Sequence, residues 1–449
     1  MKQAAALFVL FLFCSIQETY AMARTPKYDS VLPVSEKPAM LELDIVDCYE
    51  MAMRRSEVIA IRKEEIDRTL ASFLKASGET IGDVDFVMTD FRQEDQGNGS
   101  DAGAGVGSTF NAARLRESRF EYSQPLFQGF RSLGAITGAG SLKKQRVGEW
   151  ERAKQLLFID TVEAFYEYLR LTRDIEIITG ILELYQNRLE DLKQWEEIGR
   201  SRSSEIMTAR SRYESFLAEL AVSKGDAAVA KNLLAFLIGV YVESSELKDS
   251  PMPDTIEEKF DIIELAGSRP DVEAARQAAH TARGAVIVAQ SDLWPSLTLD
   301  AKSYEHREGF QSGISWDALF TLRVPLGKGG TTAGEVADTM SKWRQAKLSA
   351  SYTERTAQRE IKDAYDLWKS SLERYRALDK AVQSSQENFD FQKEEYQKRL
   401  VSNLDVLESL QTLFQTKRDA NEAFYDVKKN YWRLEIAKGE CCGDPGTVI

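Results

Sequence analysis

The chain is poor in histidine, cysteine, proline, excess positive charge and long apolar runs. Each shortage removes a class of function. Only two histidines, His280 and His306, occur in 449 residues. They cannot supply a multi-histidine metal site or much acid–base chemistry. Lys and Arg number 58 against 71 Asp and Glu, a formal net charge of -13. Nucleic-acid binding needs a basic face, so nucleic acid is excluded as a partner. No stretch of 18 apolar residues follows the N-terminus, so no transmembrane helix is expected. Of four cysteines, Cys14 lies in the leader. Cys48 and the adjacent Cys441 and Cys442 are too few for a disulfide framework, and the vicinal pair reads as incidental. Prolines number ten, and none falls in 129–196 or 329–398, which leaves room for very long helices.

Phosphate loops and cofactor sites are missing as well. "GKGGTT" (327–332) follows a strand and opens a helix, but Lys328 is followed by glycine, so it lacks the order of a phosphate-binding loop. It reads as a flexible exit from strand to helix, with Thr331 or Thr332 capping that helix. "GAGVG" (103–107) has no strand-to-helix unit around it and reads as a loop. No enzyme activity, cofactor or metal is expected.

The N-terminus carries Lys2, an apolar core from Ala4 to Phe13 and the small-x-small signal Ala21-Met22-Ala23, which reads as a signal peptide over 1–23. Phe13 is bulky where lipidation of Cys14 would want a small residue, so lipidation is not expected. An exported chain without a membrane helix is periplasmic, secreted or a membrane β-barrel. Residues 24–40 read as an extended lead-in and 438–449 as a C-terminal tail.

Two modules follow, 41–249 and 250–437, each in the order helix, strand hairpin, long helical hairpin. In the first, a helical pattern runs from about Leu43 to Leu74. Strand text follows at Val84–Phe91, then a loop at 94–108. The return strand in "RFEYSQPLFQGFR" (119–131) closes at Pro125, and Gly129 loosens the chain before a helix to Glu196. A break at "GRSRSSEIM" (199–207) precedes a helix to about Leu237. In the second, helix covers roughly 262–291 and strands cover 294–305 and 314–324. "RVPLGKGG" (323–330) repeats the junction with Pro325 and Gly327. A helix to about Lys398, a break at 399–403 and a last helix to Ala437 complete the module. The offset between junctions and between breaks is about 200 residues, so a tandem duplication is the simplest account.

The long helices carry heptad seams. One runs Leu157, Thr161, Ala164, Tyr168, Leu171, Ile175, Ile178, Leu182, Tyr185, Leu189 and Leu192, with Thr161 its polar member. The other runs Val406, Leu410, Leu413, Lys417, Ala420, Phe424, Val427, Tyr431 and Leu434, with Lys417 its exception. Such seams demand a partner helix along their length, and a helix from 129 to 196 would extend roughly 100 Å. An ordinary coiled coil explains the helices but not the strands. In 314–324, Ile314, Trp316, Ala318, Phe320, Leu322 and Val324 alternate with a mostly polar face. In 119–126, Phe120, Tyr122 and Leu126 alternate with Arg119, Glu121 and Ser123. Alternation suits either a half-buried soluble sheet or a barrel with lipid outside and water inside. The signal peptide favours the barrel, with the apolar face on outer-membrane lipid. Four strands cannot close a barrel, and open edges cannot sit in hydrocarbon. Oligomerisation is therefore forced: two copies give eight strands and three give twelve.

"RPDVEAARQ" (269–277) with "LWPSLTLDA" (293–301), the pair "SQPLFQG" (123–129) and "RVPLGKGG", the tip "GRSRSSEIM" and "SNLDVLESL" (402–410) together resemble the TolC family of outer-membrane efflux and secretion ducts. The resemblance covers about 41–437. It implies an α+β membrane protein: a homotrimer whose twelve-stranded β-barrel, four strands per chain, continues into a long α-helical coiled-coil tunnel in the periplasm. It implies a periplasmic adaptor protein and an inner-membrane pump or ABC transporter as partners. It implies a passive gated exit duct. It places Asp405 and Glu408 at a periplasmic aperture as cation-binding carboxylate rings, and pairs Tyr396 with Glu205 as a closing contact at the tips. Gly199, Arg200, Arg399 and Leu400 become the adaptor-contact tips. Departures exist: Glu205 stands where aspartate is usual, Val401 where an arginine is frequent, Arg399 where a tip glycine is usual, and "ETIGDV" (79–84) replaces the first "LPSL" segment. The rival reading is a soluble periplasmic coiled-coil scaffold.

Overall fold

The computed structural model describes residues 42–92, 114–249, 251, 260–308 and 311–439. The signal peptide, the loop at 94–108, the pair Cys441–Cys442 and most of the C-terminal tail lie outside the described residues.

Capping residues punctuate the first helices. Asp44 and Asp47 form a reciprocal capping box at the start of α1 (Ile45–Arg55). Ser56 ends α1 and caps α2 (Glu57–Ile81) through a bond from the Ile59 amide. The pattern expected to be one helix over 43–74 is therefore two, and it runs seven residues further. Gly82, at φ 88°, ends α2 where a Cβ would lie 2.4 Å from the Ser123 carbonyl oxygen. The expected helix over 262–291 also divides, into α5 (Ile262–Ser268) and α6 (Pro270–Ser291). Arg269 precedes Pro270 and takes the extended conformation that a residue before proline prefers.

Each pair is followed, beyond two strands, by a helical hairpin, and the two hairpins have identical dimensions. In the first, α3 (Arg131–Glu197) has 67 residues and α4 (Ser203–Ile238) has 36. In the second, α7 (Thr331–Gln397) has 67 and α8 (Asn403–Lys438) has 36. At 1.5 Å per residue the longer helices reach about 100 Å. Among the described residues no helix is long and apolar enough to cross a membrane.

The strands β1 (Asp83–Arg92), β2 (Arg114–Gln128), β3 (Ser296–Arg307) and β4 (Trp316–Arg323) form one antiparallel sheet in chain order. Val84, Phe86, Met88, Phe120, Leu126, Trp316, Phe320 and Leu322 stay exposed on it. The register sets Glu121 opposite Asp85 and Lys302, and Asp317 opposite Lys302. The sheet thus has an apolar face and a charged face. β1 and β4 are its outer strands, each with one edge unpaired among the described residues.

The strand-to-helix junctions differ from expectation. Pro125 does not close its strand. β2 continues to Gln128, and the register shifts between Pro125 and Phe127. A bulge is where a sheet tolerates a residue without an N–H. The chain then reverses through Gly129 (φ 58°) and Phe130 (φ 68°). A Cβ on Gly129 would meet the Ser291 carbonyl oxygen at 2.4 Å. At the second junction Pro325 lies beyond the end of β4. The left-handed residues there are Gly329 (φ 57°) and Gly330 (φ 85°), and Gly327 is not among them. Neither threonine caps α7. Gly330 occupies the cap without a side-chain bond, and Thr331, already the first helical residue, donates from Oγ1 back to the Lys328 carbonyl at 2.7 Å.

Below the sheet, α3 and α6 cross closely. A Cβ on Gly284 would lie 2.7 Å from Gly138 Cα and 2.8 Å from the Gly134 carbonyl oxygen. Further down, Phe158, Val162, Phe165, Tyr166 and Leu234 build a core with α1 and α4. Cys48 is buried in that core. Burial first, then Asp47 and Asp44, push its thiol up to about 12, so it stays protonated. Near the hairpin ends Ile178, Leu182, Tyr185, Leu192, Leu410 and Leu413 form a second cluster. Many of the seam residues lie in these two clusters, and the polar seam member Thr161 is buried with its hydroxyl bonded to the Leu157 carbonyl at 2.8 Å.

Candidate functional site

The two hairpin tips are built alike. At the first, the Arg200 amide donates to the Trp195 carbonyl at 2.6 Å, and Gly199 takes φ 69°. At the second, the Leu400 amide donates to the Glu395 carbonyl at 3.0 Å, and Arg399 takes φ 64°. Both are six-to-one closures of a helix C-terminus around a left-handed residue. Glycine suits that residue. Arg399 adopts it at a cost. Leu400 and Ile198 are exposed apolar residues at these tips.

Tyr396, one turn before its tip, donates from Oη to Glu205 Oε2 at 2.9 Å, although 191 residues separate them. Ser201 Oγ donates to the same carboxylate oxygen at 3.0 Å. Burial first, then the bond to Glu205, raises the Tyr396 phenol, so it remains a proton donor at neutral pH. Tyr396 also lies against Trp195, with ring centroids 5.2 Å apart.

Asp405 and Glu408 are exposed on the first turns of α8. Asp405 is more than an exposed charge. Its Oδ2 accepts from the Ser402 amide at 2.7 Å and from Ser402 Oγ at 2.6 Å, and the Asp405 amide returns a bond to Ser402 Oγ at 3.4 Å. The Ser402 hydroxyl and amide hold this carboxyl below the usual range. The Ser402-x-x-Asp405 spacing is a capping box that the sequence displays and that the reading passed over. Sequence reasoning also missed Arg188 and Asn403, both buried between these tips. A lone arginine beside a heptad seam gives no signal that it turns inward.

Neither Pro125, Gly129, Pro325 nor Gly327 belongs to this cluster. They lie at the sheet ends of α3 and α7, some 60 to 80 helical residues away. Among the described residues no group of three or more His, Cys, Asp or Glu could hold a metal ion.

With this geometry in place, comparison with known proteins is informative. The family described as "Outer membrane efflux protein" matches residues 262–440. The outer membrane protein TolC of Vibrio cholerae is 22% identical over 343 residues, covering 72% of this chain and 77% of TolC. The cation efflux system protein CusC of Escherichia coli is 22% identical over 372 residues, covering 79% of this chain and 80% of CusC. Along most of its length the chain is thus similar to the TolC family of outer-membrane proteins. The alkaline protease secretion protein AprF of Pseudomonas aeruginosa is 20% identical over 341 residues, 72% of this chain and 69% of AprF. A solved structure of CusC superposes with a TM-score of 0.77 at 17% identity, covering 93% of this chain and 98% of that one. These matches support an outer-membrane efflux or secretion channel and not a soluble scaffold.

Proposed function

We propose that this chain works as a homotrimeric, passive exit duct: a twelve-stranded barrel in the outer membrane continued by a helical tunnel through the periplasm. The open four-stranded sheet carries the reading. Its two outer edges carry unpaired backbone groups that lipid cannot satisfy. Three copies of four strands close a barrel of an observed size, and closure removes every edge. Exposed Val222, Val229, Leu233 and Phe236 along α4, and Leu348 and Tyr352 on α7, supply apolar surface for the neighbouring copies. The matched helix lengths support two tandem modules, 41–249 and 250–437.

The tips form the periplasmic aperture. Three copies of Asp405 and Glu408 make rings that repel anions and bind cations, and the Tyr396–Glu205 bond holds neighbouring hairpins together. Opening separates the hairpins. A periplasmic adaptor protein engages Gly199, Arg200, Arg399 and Leu400 at the tips. An inner-membrane pump or ABC transporter supplies the energy. The cargo class is small molecules, metal ions or polypeptides. Replacing Asp405→Ala together with Glu408→Ala raises single-channel conductance in planar bilayers and weakens block by divalent cations. Unchanged conductance and block in that variant would remove both residues from the aperture.

A further inference from the structure

Arg188, on α3 near the tip, is 6% exposed. Its Nε and Nη2 both donate to one acceptor, Asn403 Oδ1, at 3.0 and 2.8 Å. Its guanidinium carbon lies 3.9 Å from the Tyr396 ring centroid and 5.3 Å from that of Trp195. Among the described residues no carboxylate forms an ion pair with it, and Asp191 and Glu205 act only at longer range. Other buried cations are treated differently. Arg269 holds Asp271 at 2.6 Å and Glu360 at 2.8 Å, and Lys428 holds Asp249 at 2.6 Å.

Placement gives this side chain its reach. It starts on the first hairpin and ends on both sides of the second tip: Tyr396 in the last turn of α7, and Asn403 as the first residue of α8. Tyr396 returns its own bond to Glu205 on α4. Arg188 therefore fixes the ring whose hydroxyl makes the inter-hairpin contact, and fixes the start of the helix that carries Asp405. Stacking on two aromatic faces and charge-assisted bonds favour this arrangement. Denial of water to a cation without a counter-ion opposes it.

We infer that Arg188 is the positioning residue that couples the two hairpin tips, and that its unmet hydration biases those tips toward separation. The inference deepens the proposed aperture and rests on that reading for its functional consequence. Contact with both tips holds the closed arrangement. Separating them lets water reach the guanidinium, so the same residue lowers the cost of opening. Without the side chain, the closed state loses its strut. With an apolar side chain filling the same space, the closed state keeps its packing and the open state loses its hydration.

Hydrogen exchange on the purified full chain in detergent, paired with planar-bilayer conductance, tests both parts. In Arg188→Ala, amides of 196–206 and 396–408 exchange roughly tenfold faster, because a buried cation–π and hydrogen-bond set is lost. Amides around Tyr166 and Leu234 keep wild-type rates, and conductance rises. In the double variant Arg188→Met with Asn403→Leu, tip exchange and conductance stay at or below wild type. Wild-type tip exchange in Arg188→Ala would overturn the coupling. Opening of the double variant as far as Arg188→Ala would overturn the hydration bias. Faster tip exchange with unchanged conductance would uphold the coupling and sink the aperture reading instead.

Discussion

Arg399 occupies the left-handed position that Gly199 fills at the other tip. A side chain at φ 64° crowds its own backbone, and glycine does not. Arg399→Gly is expected to stabilise the second tip by about 0.5–1 kcal/mol, read as slower amide exchange across 396–408. Slower exchange at neither tip would show that the arginine side chain repays its strain through a contact. Asp405 gives a pH dependence of definite sign. Its folded-state pKa is depressed, chiefly by the Ser402 hydroxyl. The stabilisation is therefore present above the ordinary carboxylate value and is lost as pH falls through the lower folded value. The first turn of α8 should hold its protection from neutral pH down to about 5 and lose it in stronger acid. Asp405→Asn should show the weakened turn already at neutral pH. Equal protection in the two proteins at neutral pH would deny the carboxylate its capping role.

The elements themselves were largely legible because their causes are local. Seams such as Tyr168, Leu171, Ile178, Leu182 and Tyr185 mark α3, and alternation in 314–324 marks β4. What escaped was decided by distant contacts or by single capping residues. Ser56 divides one helical pattern in two with a hydroxyl. Pro125 sits inside β2 because a bulge in β2 at Leu126 lets the strand continue past it against β3. Phe130 takes a left-handed conformation beside Phe127 and Trp294, whose rings stand edge-on to it at 5.4 and 5.7 Å. At the tips, the sequence displayed Ser402 and Asp405 plainly, whereas Arg188 became visible only when α7 and α8 were placed against it. The α3–α6 crossing makes the same point, since Gly134, Gly138 and Gly284 stand 146 to 150 residues apart across it. Gly284→Leu forces these helices apart and should cost about 1–3 kcal/mol, measured as a lower midpoint in thermal unfolding. An unchanged midpoint would mean that the junction beneath the sheet is looser than its glycines indicate.

At the scale of the whole molecule, one chain is an incomplete object. Among the described residues its sheet has an exposed apolar face and two outer edges without partners, and its helices of about 100 Å carry exposed apolar residues. These features share one remedy, which is to join copies around an axis so that strands close into a barrel and helices into a tube. On the proposed reading that barrel lies in the outer membrane, and the tips at the far end of the helices are the place to regulate passage. Mass measurement by light scattering on protein extracted from membranes tests this most directly. The account predicts that extraction needs detergent and that the particle contains three chains, about three times the monomer mass of 50.7 kDa less the leader. A monomer released from the membrane fraction by a carbonate wash without detergent would contradict it.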